Sequence, residues 1–262
     1  MDWGISNRLC RILKPATGRT VMLAVDHGYF LGPTSGLEEP RKTLAPLLPY
    51  ADSLMLTRGV LRNCVPPGID IPIVLRVSGG TSILTELSAE GLTVAMEDAI
   101  RLNACAVTLS IFVGAEGERE TLLNLAHLVD EGEKYGIPVL AVTAVGKDMV
   151  RDARYLGLAC RIAAELGAHF VKTYFCEGFD GVVRDTPVPL IIAGGKKIPE
   201  KEAILLAWSA VQAGASGVDM GRNIFQSECP GGMIRAIRAV VQENASVEQA
   251  SKIYDQARGA AQ

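Results

Sequence analysis

Lys172 stands inside an apolar run, HFVKTY at 169–174. A charged, unpaired ammonium there costs several kcal/mol. Burial favours the neutral amine, and a neutral amine can attack a carbonyl to form a Schiff base. The bland alternative is a strand-end lysine whose stem is packed and whose ammonium reaches water. A second apolar run ends in Asp26-His27-Gly28. An aspartate there can act as general base or orient a carbinolamine, and His27 can move protons near neutral pH. An Asx turn before a glycine explains the same tripeptide without chemistry. Two further turns carry glycine: Gly194-Gly195 within AGGKK and Gly221-Arg222 within MGRN. Glycine lets backbone N–H groups approach phosphate oxygens, and Arg222 can bind them bidentately. Lys147, in AVGKDM, can bind an anionic substrate or relay a proton, and a solvated loop lysine is the plain reading. Taken together, these residues describe an amine, proton-handling groups and a phosphate holder, which suits a phosphorylated ketone.

Other polar residues carry less. Arg58 and Arg76 end apolar runs and suit ion pairs in a barrel mouth as well as substrate contact. His127 falls in a helical pattern, and His169 opens its strand, at the wrong end for catalysis. With three histidines and no HExxH motif, no metal site is expected.

Eight short apolar runs must position these groups: 20–26, 52–57, 71–77, 104–112, 138–143, 169–174, 188–193 and 216–220. They show little polar alternation, which predicts parallel strands buried on both faces. Between them lie helical patterns, clearest at 121–135, 151–166 and 201–213, each stopped by a glycine (Gly136, Gly167, Gly214). A closing helix is predicted at 230–243. The count of eight favours a closed (β/α)₈ TIM barrel over an open doubly wound sheet. In that fold the catalytic groups come from the C-terminal ends of strands, and phosphate sits on the loops after strands seven and eight. Lys172 is then on strand six, and the two glycine turns follow strands seven and eight. The whole of 1–262 is expected to be one barrel domain. A short helix at 6–13 is expected to plug its floor, and an extra helix near 247–258 to pack outside it or against a neighbouring subunit.

Composition agrees. Hydrophobic residues make up 48% of the chain and aromatics only 5%, so the core is built from aliphatic side chains. A net charge of −3 gives no support for nucleic-acid binding. The six cysteines form no CxxC pair and suit reduced thiols. No apolar stretch reaches the roughly 18 residues of a membrane helix, and the start of the chain does not read as a signal peptide. A cytoplasmic protein with no membrane partner is expected.

The DHG after strand one, the strand-six lysine, the AGG after strand seven and the GRNIFQ after strand eight resemble the class I aldolases of the archaeal fructose-bisphosphate aldolase group. Longer stretches, including 145–152 (VGKDMVRD) and 215–227, are similar to that group's autoinducer-2 processing branch, whose members are thiolases acting on 3-hydroxy-5-phosphonooxypentane-2,4-dione. The resemblance implies that Lys172 is the Schiff-base or otherwise essential lysine. It implies that Asp26 and His27 are acid–base groups, and that Gly194, Gly195, Gly221 and Arg222 hold phosphate. It also implies coenzyme A as co-substrate, no bound cofactor, and a homo-oligomeric ring of barrels, a decamer. The fructose-bisphosphate aldolases of the group place a tyrosine just after strand five. Here the stretch reads Val142-Thr143-Ala144-Val145, which favours the thiolase branch. That branch carries a segment ahead of the point where this sequence begins. The alternatives are an aldolase joining dihydroxyacetone phosphate to another aldehyde, and a barrel that binds a sugar phosphate without turnover.

Overall fold

A computed structural model describes residues 2–144 and 150–260. Eight parallel strands close into a barrel: Thr20–Ala24, Ser53–Thr57, Ile73–Arg76, Ala106–Ile111, Val139–Thr143, Phe170–Thr173, Leu190–Ala193 and Gly217–Met220. Each pairs with its neighbours in chain order, and the eighth closes on the first in the register Thr20↔Gly217 through Leu23↔Met220. All eight expected runs are strands, trimmed by a few residues at their ends.

Two-sided burial follows from the period of two. Val21, Leu23, Leu54, Leu75, Val107, Val171 and Ile192 face the surrounding helices. Met22, Ala24, Met55, Val74, Ala106, Leu140, Phe170 and Ile191 fill the barrel interior. Nearly every strand position is therefore buried, the exceptions being Thr57, Val142 and Ala193, which is why the runs lack polar alternation.

The interior needs a floor, and the helix Trp3–Ile12 supplies it. Asp2 caps this helix by accepting a hydrogen bond from the Gly4 N–H at 3.1 Å. Its Ile5, Leu9 and Ile12 pack among the inward side chains of the strands. Burying each isoleucine fully contributes about 1.5–3 kcal/mol. The expected plug is present, beginning three residues earlier than its sequence pattern suggested.

The main covering helices are Glu118–Tyr135, Ala153–Glu165, Glu200–Gln212 and Pro230–Glu243. Gly136 ends the first of them in the left-handed region (φ +68°), which a side chain would resist. The last helix, Val247–Ala260, lies outside the barrel on Pro230–Glu243 and Glu200–Gln212, burying Ala250 and Tyr254. A small antiparallel pair, Ser78–Gly79 with Gly91–Leu92, stands above strand three and had no signature in the sequence.

Candidate active site

The inward positions change character toward the C-terminal ends of the strands. Below lie Phe170 and Met22; two residues further on the same faces carry Lys172, and four further Asp26. Arg76, Ser110 and Asp219 come from strands three, four and eight. These polar groups are all buried. A cavity of about 240 Å³ opens above them, and Asp26, His27, Arg76, Ser110, Lys172 and Asp219 all line it.

Lys172 is paired rather than isolated. Its Nζ lies 2.8 Å from Asp219 Oδ2, and the Asp219 side chain is fully buried. Burial pushes the Asp219 carboxyl up to about 6, against the pull of Lys172. Asp219 is thus poised between holding a proton and holding the ammonium. The contact at Oδ2 is a close ion pair without hydrogen-bond alignment, and Oδ1 has no partner at all among the described residues.

Asp26 is held differently. Arg76 meets its Oδ2 through Nε and Nη2, both at 2.9 Å. Burial alone would raise the Asp26 carboxyl, but the charges of Arg76, His27 and Lys172 hold it below the usual range. Arg76 also donates from Nη1 to Ser110 Oγ at 2.9 Å. The two aspartates differ in role for this reason: one is locked as an anion by a guanidinium, the other shares its proton with an amine.

His27 Nδ1 is 3.9 Å from Asp26 Oδ1, too far for a hydrogen bond, and has no partner among the described residues. Burial lowers its pKa to about 4 despite Asp26 beside it, so the imidazole is neutral near pH 7. Its ring packs edge-on against Phe225, centroids 5.7 Å apart.

The loops after strands seven and eight are tied together by Asn223. Its Nδ2 donates to the Gly194 carbonyl at 2.6 Å, and its Oδ1 accepts from the Ile198 N–H at 2.9 Å. Asn223 is fully buried. Gly221 is fixed by space: a Cβ there would lie 2.3 Å from the Ala24 carbonyl oxygen and 2.5 Å from His27 Cε1. Arg222 is half-buried at the cavity wall, and Tyr174 nearby is stacked under Arg151 at 3.8 Å. Gly194, Gly195, Gly221, Arg222 and Tyr174 line the same cavity as Lys172.

Seven of the eight residues expected from the sequence therefore surround one cavity: Asp26, His27, Lys172, Gly194, Gly195, Gly221 and Arg222. The eighth, Lys147, lies outside the described residues. The two strand-end arginines separate. Arg76 is in the barrel mouth, whereas Arg58 is on the outer surface, 3.1 Å from Asp98. His169 is structural: Nδ1 accepts the Val139 N–H and Nε2 meets Glu133, both at 3.1 Å. His127 is exposed.

Sequence reading missed Asp219 and Glu90. Asp219 carried the same signal as Lys172, a charge at an inward position of an apolar strand. Glu90, in a short polar loop, carried none. It is buried, and accepts from Tyr29 OH at 2.5 Å and from Ser78 Oγ at 2.6 Å.

Among known proteins, the family model for DeoC/LacD family aldolases matches residues 20–227. The chain belongs to the DeoC/LacD aldolase family. The DeoC/LacD match begins on strand one and ends just past the loop after strand eight, so it contains every cavity residue named above. The 3-hydroxy-5-phosphonooxypentane-2,4-dione thiolase of Photorhabdus laumondii is 57% identical over 256 residues, 97% of this chain and 87% of that protein. The enzyme of the same name from Escherichia coli K12 is 55% identical over 255 residues, 97% of this chain and 88% of that protein. The DeoC/LacD barrel also superposes on an archaeal fructose-1,6-bisphosphate aldolase whose catalytic lysine is covalently bound to the carbinolamine intermediate of its substrate. That match has a TM-score of 0.81 at 24% identity, covering 90% of this chain and 99% of the other, and it shows a shared fold. Ala144, where the sequence lacks the expected aldolase tyrosine, lines the cavity with a methyl group.

Proposed function

We propose that this protein cleaves 3-hydroxy-5-phosphonooxypentane-2,4-dione with coenzyme A, giving acetyl-CoA and dihydroxyacetone phosphate. The substrate is taken from the names of relatives more than half identical over nearly the whole chain. The observation that carries the chemistry is the buried Lys172–Asp219 pair facing two glycine loops across one cavity.

The phosphate rests on the Gly194-Gly195 and Gly221-Arg222 loops, with Lys147 assisting. Lys172 passes a proton to Asp219 and attacks the ketone nearest the phosphate. Asp219 returns that proton to the carbinolamine oxygen, which leaves as water to give an iminium, beside Asp26 and the neutral His27. Asp26, locked as an anion by Arg76, stabilises the iminium charge. The thiolate of coenzyme A adds to the acetyl carbonyl. The bond between the acetyl carbon and the hydroxyl-bearing carbon then breaks, and its electron pair moves to the iminium nitrogen. Acetyl-CoA leaves, the enamine is protonated on carbon, and water releases dihydroxyacetone phosphate.

A second reading, an aldolase working on dihydroxyacetone phosphate and an aldehyde, is favoured by the shared aldolase fold. It is disfavoured by Ala144. The test is turnover of the phosphorylated dione with and without coenzyme A. Equal amounts of acetyl-CoA and dihydroxyacetone phosphate, formed only with the thiol, are expected. Cleavage at full rate without any thiol overturns the thiolase assignment.

The protein is proposed to act in the cytoplasm as a homo-oligomer. Among the described residues no helix is long and apolar enough to cross a membrane. Exposed Leu123 and Leu158 line an apolar groove between helices Glu118–Tyr135 and Ala153–Glu165, which supports self-association.

A further inference from the structure

Thiolytic cleavage moves one proton: it leaves the thiol and ends on the carbon that loses the acetyl group. Few groups around the cavity are suited to carry it. Asp26 is committed to Arg76 and Asp219 to Lys172. His27 accepts a proton only well below neutral pH. Tyr174 is stacked under Arg151 beside the phosphate loops. Among the described residues Tyr29 and Glu90 remain, and both line the cavity.

Their geometry is specific. The Tyr29 hydroxyl donates to Glu90 Oε1 at 2.5 Å, and the second oxygen of Glu90 is held by Ser78 at 2.6 Å. Ser78 Oγ in turn accepts the Ser110 N–H at 3.2 Å. Asn124 fixes the Glu90 backbone by donating to its carbonyl at 3.2 Å. The Tyr29 ring is wedged between the Arg76 guanidinium, 5.2 Å from its centroid, and Gly79, where a Cβ would lie 3.2 Å away. Glu90 forms no ion pair with any described cation, so a buried carboxylate is held by two hydroxyl groups. A carboxylate that gives up water for a tyrosine facing a cavity is arranged for proton transfer rather than for stability.

We propose that Tyr29 and Glu90 form the proton relay of the reaction, an assignment that rests on the Lys172 chemistry proposed above. As the thiol S–H proton passes to the Tyr29 oxygen, the Tyr29 proton passes to Glu90, and the thiolate attacks the acetyl carbonyl. After the carbon–carbon bond breaks, the same two steps run backward. Glu90 returns its proton to Tyr29, and Tyr29 delivers one to the enamine carbon. The relay ends the cycle as it began.

The relay is tested with dihydroxyacetone phosphate alone, without coenzyme A. In D₂O the wild-type protein should exchange one proton of the hydroxymethyl carbon, read by proton NMR. Tyr29→Phe should slow that exchange about 100-fold or more, the usual contribution of a positioned acid–base group. Glu90→Gln, nearly the same shape, should slow it comparably. Borohydride trapping of the imine by each variant should stay within about threefold of wild type, since Lys172 and Asp219 are untouched; a merely structural role would lower both readouts together. Exchange by both variants at the wild-type rate, with trapping intact, overturns the relay alone. Failure of the wild-type protein to trap dihydroxyacetone phosphate overturns the Lys172 chemistry and the relay with it.

Discussion

Replacing Asp219 with asparagine should separate the stability of the Lys172 pair from its chemistry. Asp219 is fully buried, and its carboxyl is raised from 3.8 to about 6. At about 1.4 kcal/mol per unit, keeping it ionised at pH 7 costs the fold roughly 3 kcal/mol, with the attraction of Lys172 already included. A carboxyl raised in the folded state takes up a proton more readily there than in the unfolded chain. The cost is therefore full above about pH 6 and fades as the pH falls toward 3.8. Removing one partner of a buried pair ordinarily costs about 3–5 kcal/mol. A pair that already holds one ion unfavourably should lie well below that range. The expected net destabilisation is about 0–2 kcal/mol, or a fall in Tm of no more than about 8 °C for a domain of this size. Chemistry should suffer far more. Without the carboxylate, Lys172 has no ion-pair partner among the described residues to take its proton, and such a loss ordinarily costs about 10²–10⁴-fold. Borohydride trapping rates with dihydroxyacetone phosphate, measured beside thermal melts, report both quantities. Asp219→Asn trapping at the wild-type rate would refute the assignment of Asp219 as the proton acceptor. A melt lowered by 20 °C would refute the energetics.

Turnover should fall as the pH drops through about 6, because protonated Asp219 can no longer accept the lysine's proton. Since His27 ionises only near 4, His27→Gln should keep that limb in a pH–rate profile, whereas Asp219→Asn should lose it. Gly221→Ala places a methyl 2.3 Å from the Ala24 carbonyl and against His27; a loss of about 1–3 kcal/mol in denaturant melts and a raised KM for the phosphorylated substrate are expected. Asn223→Ala removes both ties between the phosphate loops and leaves two half-buried backbone groups without their side-chain partner; at about 1 kcal/mol or more per group, it should weaken inorganic phosphate binding at least tenfold in calorimetry while leaving imine trapping at saturating substrate nearly unchanged.

Most of the barrel was legible because its strands are buried on both faces. Val21 and Met22 are equally hidden, one from the helices' side and one from within, so the chain spells unbroken apolar runs. Gly136, Gly167 and Gly214 marked the helix ends because each adopts a positive φ. Lys172 was visible as a charge in an apolar strand. Asp219 bears the same mark, a charge at an inward position of a short apolar strand. The pairing of the two could not be read, because it depends on the stagger that brings inward side chains of strands six and eight to one level across strand seven. Glu90 and Tyr29 are a harder case. They meet only because the short pair Ser78–Gly79 and Gly91–Leu92 folds a polar loop back over the mouth. Neither strand is long enough to leave a period. Arg58 and Arg76 looked alike in sequence and differ in structure, because Arg76 is the last inward position of strand three while Arg58 begins a helix on the outside.

The central claim is that Lys172 forms a covalent imine with a phosphorylated ketone. Borohydride reduction in the presence of dihydroxyacetone phosphate, followed by peptide mass mapping, tests it most directly. A single reduced adduct on the peptide containing Lys172, absent in Lys172→Ala together with turnover, is expected. An adduct on another lysine, or a Lys172→Ala protein that still turns over at the wild-type rate, would contradict it.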